Sequence, residues 1–306
     1  MKSAVIVGAG GQDGFYLSEL LARQGCAVTA LTRGGDTDIL KRDDVFALLQ
    51  RLQPDEVYYL AAFHHSAEDK ELDGNDSLLF ERSYAVHVQG LLHFLDAIAH
   101  VSPKTRLFYA ASSHIFGTPA AQPQTEATPL EPTGVYGITK TMGIHACRYF
   151  RRERGVFASV GILYNHESSR RAPKFLSQKI ARGVLAFQRD SSQRITLGDL
   201  GATVDWGFAP DYVEAMTRIL ALPTADEFIL ATGQPHTVED FLRIACEHLG
   251  VHWRDAVQTK PGLLTKKSTL LIGDSTKLRQ ATGWKPSVTF EEMVRSLVDV
   301  ARALSN

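Results

Sequence analysis

The sequence predicts an α/β fold in which a doubly wound parallel sheet carries a smaller C-terminal α/β lobe. Three observations predict it. Short apolar runs alternate strictly with helical patterns through the first half of the chain, as in a parallel sheet covered by helices on both faces. A glycine-rich turn directly follows the first of these runs. After about Tyr164 the alternation loosens and helical patterns dominate, which marks a second, smaller unit.

Taken in order, Ser3–Val7, Ala27–Thr32, Val57–Ala61, Arg106–Ala111 and Phe157–Leu163 read as buried strands. Helical patterns over Gly14–Arg23, Asp44–Leu52, Leu79–His100 and Gly134–Arg154 lie between them. Right-handed crossovers then set the ligand crevice at the carboxyl ends of the strands. Further along, helices are expected at Phe175–Arg189, Asp211–Leu222, Val238–Leu249 and Phe290–Ala303, with short strands near Phe228–Ala231 and Thr269–Ile272. The expected division is 1–164 for the sheet domain and 165–306 mainly for the second lobe, some segments of which return to the first. Gln122–Pro132, rich in Pro, Thr and Glu, reads as a surface loop beside the crevice. Asp69–Asn75 reads as an acidic loop to which no role attaches.

The 306 residues, 44% hydrophobic and 22% charged, are enough for a full core. A formal net charge of −1 provides no basic field for a nucleic-acid or membrane-surface partner. No apolar run approaches the roughly 20 residues of a membrane helix. The N-terminal apolar stretch is short and runs into the glycine turn, unlike a signal peptide. Cys26, Cys147 and Cys246 are odd in number and widely spaced, which fits neither a disulfide framework nor a zinc cluster. A cytoplasmic location is expected.

Gly8, Gly11 and Gly14 form a Gly-x-x-Gly-x-x-Gly turn between the first strand and the first helix, with Gln12 and Asp13 inside it. Such a turn brings backbone close to a pyrophosphate at a helix N-terminus, whose N–H groups and dipole favour the anion. It reads residues 1–164 as a Rossmann-type, dinucleotide-binding domain. The second strand ends in Arg33, which suits the 2′-phosphate of NADP, where an acidic residue would select NAD. The alternative is a solvated loop arginine, with NAD as cofactor. Asp38 and Ile39 are expected at the adenine. Leu60, Ala61 and Ala62 at the third strand end, and Leu163 at the fifth, are expected along the rest of the dinucleotide.

Tyr136 and Lys140 form a Tyr-x-x-x-Lys on a helical stretch, so both side chains share one face. An ammonium beside a phenol favours the phenolate, and the spacing predicts a tyrosine pKa lowered towards neutrality. Ser112 and Ser113 fall just past the fourth strand, where a hydroxyl meets the substrate oxygen that Tyr136 deprotonates. Together these residues point to hydride transfer at a carbinol carbon. Ser113-His114 lacks the nucleophile elbow of a hydrolase. His64-His65 lacks the carboxylate–histidine spacing of a metal site, so no metal is expected.

Beyond these motifs, the segments Gly11–Gly14, Gln53–Tyr58, Asn165–Ser168 followed by Arg170-Arg171, Asp205-Trp206-Gly207, Asp211–Met216, Ala231-Thr232-Gly233 and Gly283–Pro286 resemble GDP-mannose 4,6-dehydratases, in order and over nearly the whole chain. The resemblance implies bound NADP, a nucleotide-activated sugar in the second lobe and an internal redox reaction. It places Ser112, Tyr136 and Lys140 in catalytic positions, His166 and Arg171 against the cofactor, and Asn165 and Lys179 on the sugar diphosphate.

His114 stands where that family carries a glutamate, the base that removes the C5 proton. An imidazole serves dehydration, epimerisation or 4-reduction of a keto sugar, or simply a hydrogen bond to substrate. Val204 replaces the arginine before Asp-Trp-Gly, and Leu264-Thr265-Lys266-Lys267 replaces an Arg-Pro-x-Glu element, so the base of the nucleotide stays open. The segment from Arg33 to Asp38 is shorter than the loop that commonly assembles tetramers, and a homodimer is expected. A dinucleotide sensor without catalysis is the remaining alternative; it predicts a broken Tyr-x-x-x-Lys, and this chain keeps the motif.

Overall fold

The computed structural model describes residues 1–63, 74–260 and 269–305. Its first half runs β1 (Ser3–Val7), α1 (Gln12–Arg23), β2 (Ala27–Leu31), α2 (Arg42–Leu52), β3 (Glu56–Tyr59), α3 (Asp76–Tyr84), α4 (Gly90–Val101), β4 (Arg106–Ser112), α5 (Val135–Glu153) and β5 (Ala158–Leu163). A π-helical turn, Ala85–Gln89, joins α3 to α4, and a 3-10 turn, Ser113–Phe116, follows β4. The expected single helix Leu79–His100 is therefore interrupted. Its sequence pattern is continuous, and the turn widens where tertiary contacts hold it: the Tyr59 hydroxyl donates to the Val86 carbonyl at 2.5 Å.

The second half runs β6 (Asn165–Glu167), α6 (Leu176–Arg189), β7 (Ile195–Leu197), β8 (Thr203–Phe208), α7 (Ala209–Leu220), β9 (Glu227–Leu230), β10 (Pro235–Thr237), α8 (Val238–His248), α9 (Trp253–Ala256), β11 (Val257–Thr259), α10 (Thr276–Thr282) and α11 (Phe290–Ala303). Thr237 and Thr289 start α8 and α11 with reciprocal capping boxes to Asp240 and Glu292.

All strand pairs in the main sheet are parallel, in the order β2-β1-β3-β4-β5-β9. The order reverses between β1 and β3, so the crevice opens at their carboxyl ends. Apolar side chains of α2, α4 and α5 cover one face, and Leu17 and Leu21 of α1 with Met216 and Ile219 of α7 cover the other. Helix α7 and strand β9 thus return to the first domain from beyond residue 165. A three-stranded sheet, β10-β8-β6, and the β11-β7 pair belong to the second lobe, whose core gathers α6, α8 and α11 around Trp206.

Two expectations fail here. Thr269–Ile272 forms no strand; only Gly273 bridges to Gln124. Gln124 itself is fully buried, accepting a hydrogen bond from the Tyr164 hydroxyl at 2.8 Å, so 122–132 is not simply a surface loop. The apolar run at 269–272 spends its pairing capacity on that buried glutamine instead of a neighbouring strand. Among the described residues no helix is long and apolar enough to cross a membrane.

Candidate active site

A cavity of about 990 Å³ opens at the carboxyl ends of β1 and β3. Gly8 turns the chain there with φ of 91°, and a Cβ on it would sit 2.8 Å from the Ala61 nitrogen. Gly8, Gly11, Gln12, Asp13 and Gly14 line the cavity beneath the N-terminus of α1. Arg33, Asp38 and Ile39 line one end. Leu60, Ala61, Ala62 and Leu163 form walls, and Ser112, Ser113, His114, Tyr136 and Lys140 gather at the other end with Asn165, His166 and Arg171. Lys179, on α6, stands outside this lining. His64, His65, Leu264, Thr265, Lys266, Lys267 and the acidic residues 69–73 lie outside the described residues.

Sequence reasoning passed over Thr37, Val86, Tyr164 and Phe175, which also line the cavity. Val86 carries no sequence signal because only the π-helical turn directs it inward. Tyr164 and Phe175 flank segments already singled out, and their positions were within reach.

Two turns hold the end of the cavity that contains Tyr136 and Lys140. The Ser112 hydroxyl accepts a hydrogen bond from the His114 backbone N–H at 3.3 Å and caps the 3-10 turn. Gly137 lets α5 approach that turn: a Cβ there would lie 2.5 Å from the His114 carbonyl oxygen. The His114 ring therefore stands edge-on to Tyr136, centroids 5.9 Å apart.

Lys140 is buried, its Nζ donating to the Ala110 carbonyl at 2.7 Å and lying 5.7 Å from the centre of the Tyr136 ring. The expected lowering of the tyrosine pKa does not appear. Burial pushes the Tyr136 phenol up to about 12, against a weaker downward pull from Arg171. Burial also pushes Lys140 down to about 7, with Asp13 opposing it. The physical reason is that desolvation penalises the charged form of each group, so both favour their neutral forms.

Across the cavity Gln12 Nε2 donates to the His166 carbonyl at 3.1 Å, and the Ser168 hydroxyl donates to Gln12 Oε1 at 2.7 Å. His166 sits between the Tyr164 carbonyl and the Asp13 carboxylate, its ring stacked on Tyr212 at 4.5 Å. The Arg171 guanidinium lies over Phe175 at 3.9 Å, with Nε 3.5 Å from the buried Glu167 carboxylate.

A glycine turn at the switch point of a parallel sheet, with Tyr136 and Lys140 at its far end, defines an enzyme of the extended short-chain dehydrogenase/reductase type. The family model for GDP-mannose 4,6 dehydratase matches residues 34–297. GDP-mannose 4,6 dehydratase 2 of Arabidopsis thaliana is 34% identical over 97% of this chain and 86% of its own length. The GDP-mannose 4,6 dehydratase of Homo sapiens is 29% identical over 96% and 90%. The chain belongs to the GDP-mannose 4,6-dehydratase family. Two solved structures share the fold. One is RMD from Pseudomonas aeruginosa complexed with NADPH, with TM-score 0.84, 20% identity and coverage of 99% of this chain and 100% of that one. The other is dTDP-glucose 4,6-dehydratase from Bacillus anthracis in complex with NAD, with TM-score 0.85, 15% identity and coverage of 99% and 97%.

Proposed function

We propose that this chain is a nucleotide-sugar 4,6-dehydratase working with NADP. The observation that carries the reading is the meeting, in one cavity, of the glycine cradle, Arg33 and the buried Tyr136–Lys140 pair. A dinucleotide fits this cavity: its volume of about 990 Å³ is lined by Arg33 and Asp38 at one end, by Gly11 at the α1 N-terminus, and by Tyr136 and Lys140 at the other end. The α1 N-terminus would offer its N–H groups to the pyrophosphate, Arg33 would pair with the 2′-phosphate, and Lys140 would hold the nicotinamide ribose. Bound there, NADP would supply the acceptor for hydride from the sugar C4 and the donor that reduces C6.

Tyr136 receives the proton of the 4-hydroxyl. Its own proton passes towards Lys140, an amine near its midpoint at neutral pH. Ser112 and Ser113 orient the sugar oxygen. The ketone formed at C4 acidifies the C5 hydrogen; His114 removes that proton and delivers it to the departing 6-hydroxyl, which leaves as water, and C5 then takes a proton from solvent through His114 as hydride is returned at C6. Arg171 lies with His166 against the cofactor, and Asn165 holds the sugar diphosphate. Lys179 joins Asn165 only if the bound nucleotide extends past the cavity along α6.

Val204 packs against the second-lobe core and brings no charge to the nucleotide. The test is incubation with GDP-mannose and with CDP- and dTDP-hexoses in deuterated water. Loss of water with one deuterium fixed at C5 supports the reading. A second reading, a 4-keto-sugar epimerase or 4-reductase, is favoured by His114 standing where the family has glutamate. Deuterium uptake without water loss, or consumption of free NADPH, selects it.

We also propose a homodimer through α3 and α5, where Phe80, Tyr84, Met142 and Tyr149 are 39–51% exposed on neighbouring helices. Light scattering on Tyr84→Glu and Met142→Glu, against the parent, tests it; parent mass equal to one chain overturns it.

A further inference from the structure

His87 is fully buried in the π-helical turn, and its ring stands edge-on to Tyr136 with centroids 5.1 Å apart and planes at 88°. Tyr136 is thus flanked by two imidazoles, His114 on the cavity side and His87 behind it. His87 Nε2 accepts the Phe63 backbone N–H at 2.9 Å. A nitrogen that accepts an amide proton carries none of its own, so the ring's single proton sits on Nδ1. That proton is donated to Thr139 Oγ1 at 2.8 Å, and the Thr139 hydroxyl in turn donates to the Val135 carbonyl at 2.9 Å. Every proton in this chain of bonds has one direction.

The three tied segments are those that shape the reacting end. Phe63 follows the Leu60–Ala62 wall, Val86 lines the cavity from the π-helical turn, and Val135–Thr139 is the first turn of α5 that carries Tyr136. π-turns of this kind often occur at functional sites. Here the turn is held open by Tyr59 bonding to Val86, and it brings His87 into line with both bonds.

We infer that His87 is a positioning residue: as a neutral imidazole with its proton on Nδ1, it sets the Tyr136 phenol relative to the Leu60–Ala62 wall through Phe63 and Thr139. Both of its nitrogens are committed to these bonds, so it passes no proton to Tyr136. This inference rests on the proposed role of Tyr136 as the group that takes the substrate hydroxyl proton.

His87→Gln keeps one acceptor and one donor, whereas His87→Phe keeps a ring against Tyr136 and strips both bonds. The expected result is hydride transfer in His87→Gln within about threefold of the parent. In His87→Phe, kcat is expected to fall by about tenfold or more, since small misplacements at a reacting centre are costly. KM should change by less than about threefold, and the pH–rate limb belonging to Tyr136 should move. Equal losses in both variants, or a His87→Phe profile that overlays the parent, overturn the inference. Should His87→Phe not fold, Thr139→Val removes the acceptor from the other side and Thr139→Ser restores it; the same split between them is required.

Nitrogen NMR of the imidazole gives a readout independent of turnover. At the pH of the turnover assay His87 is expected to show the neutral Nδ1–H form. A neutral ring protonated on Nε2 overturns the inference. A parent inactive on every nucleotide sugar, with His87 still locked, refutes the dehydratase reading and leaves the imidazole geometry standing.

Discussion

The His166 Nε2 lies 2.9 Å from the Asp13 carboxylate and joins β6 of the second lobe to the first turn of α1. Their side chains are 10% and 19% exposed. His166 Nδ1 donates to the Tyr164 carbonyl, so a proton shared with Asp13 makes the ring an imidazolium. Burial alone pushes the Asp13 carboxyl up and the His166 ring down. The opposite charges and their hydrogen bond reverse both effects, leaving Asp13 below and His166 above their ordinary values. Under the proposed binding of NADP, the pair would keep Asp13 from repelling the pyrophosphate.

A pH dependence of stability follows. The His166 contribution is complete below its unfolded pKa of about 6.5 and fades as pH rises through the raised folded value. The Asp13 contribution is complete above its unfolded pKa of about 3.9 and is lost as pH falls through the lowered folded value. Breaking the pair with His166→Gln is expected to cost about 3 kcal/mol. The parent-minus-variant difference should be largest between about pH 4 and about pH 6.5. Urea unfolding across pH checks this; a difference that does not vary with pH refutes it.

Tyr136→Phe removes the phenol oxygen to which the proposed mechanism assigns proton transfer. Turnover of the nucleotide sugar is expected to fall by a factor of about 10² to 10⁴. Dinucleotide affinity should remain within about twofold, because Tyr136 lies at the reacting end of the cavity and Arg33 at the other. Titration calorimetry beside a turnover assay separates the two effects.

Arg33→Ala is expected to weaken NADP by about 1.5–3 kcal/mol, the worth of a hydrogen bond to a charged group. NAD, which has no 2′-phosphate, should be nearly unaffected. Equal losses for the two dinucleotides would show that Arg33 does not read that phosphate.

Gly137→Ala places a methyl group 2.5 Å from the His114 carbonyl oxygen. The 3-10 turn or α5 must shift, at a cost of about 1–3 kcal/mol. Activity should fall along with the melting temperature, since the same shift moves His114 relative to Tyr136. A variant as stable and active as the parent would mean that the turn is free to yield.

His114→Glu tests the base directly. If His114 removes the C5 proton, glutamate in its place should sustain dehydration, and His114→Ala should abolish deuterium incorporation at C5. Undiminished incorporation in His114→Ala would remove His114 from the mechanism.

By itself the sequence determined the parallel sheet, the glycine turn and the Tyr136–Lys140 pair. These are local features: apolar periodicity, φ requirements and an i,i+4 spacing act between residues close in the chain. The tertiary structure alone decided the Asp13–His166 pair, whose members stand 153 residues apart, and the junction of His87 with Phe63 and Thr139 across 24 and 52 residues. It also decided the ionisation at the reacting end. The spacing of Tyr136 and Lys140 predicts a lowered phenol pKa, but the depth at which β4 and α5 bury them reverses it. Desolvation depends on everything packed around a group, and no stretch of sequence near Tyr136 encodes that.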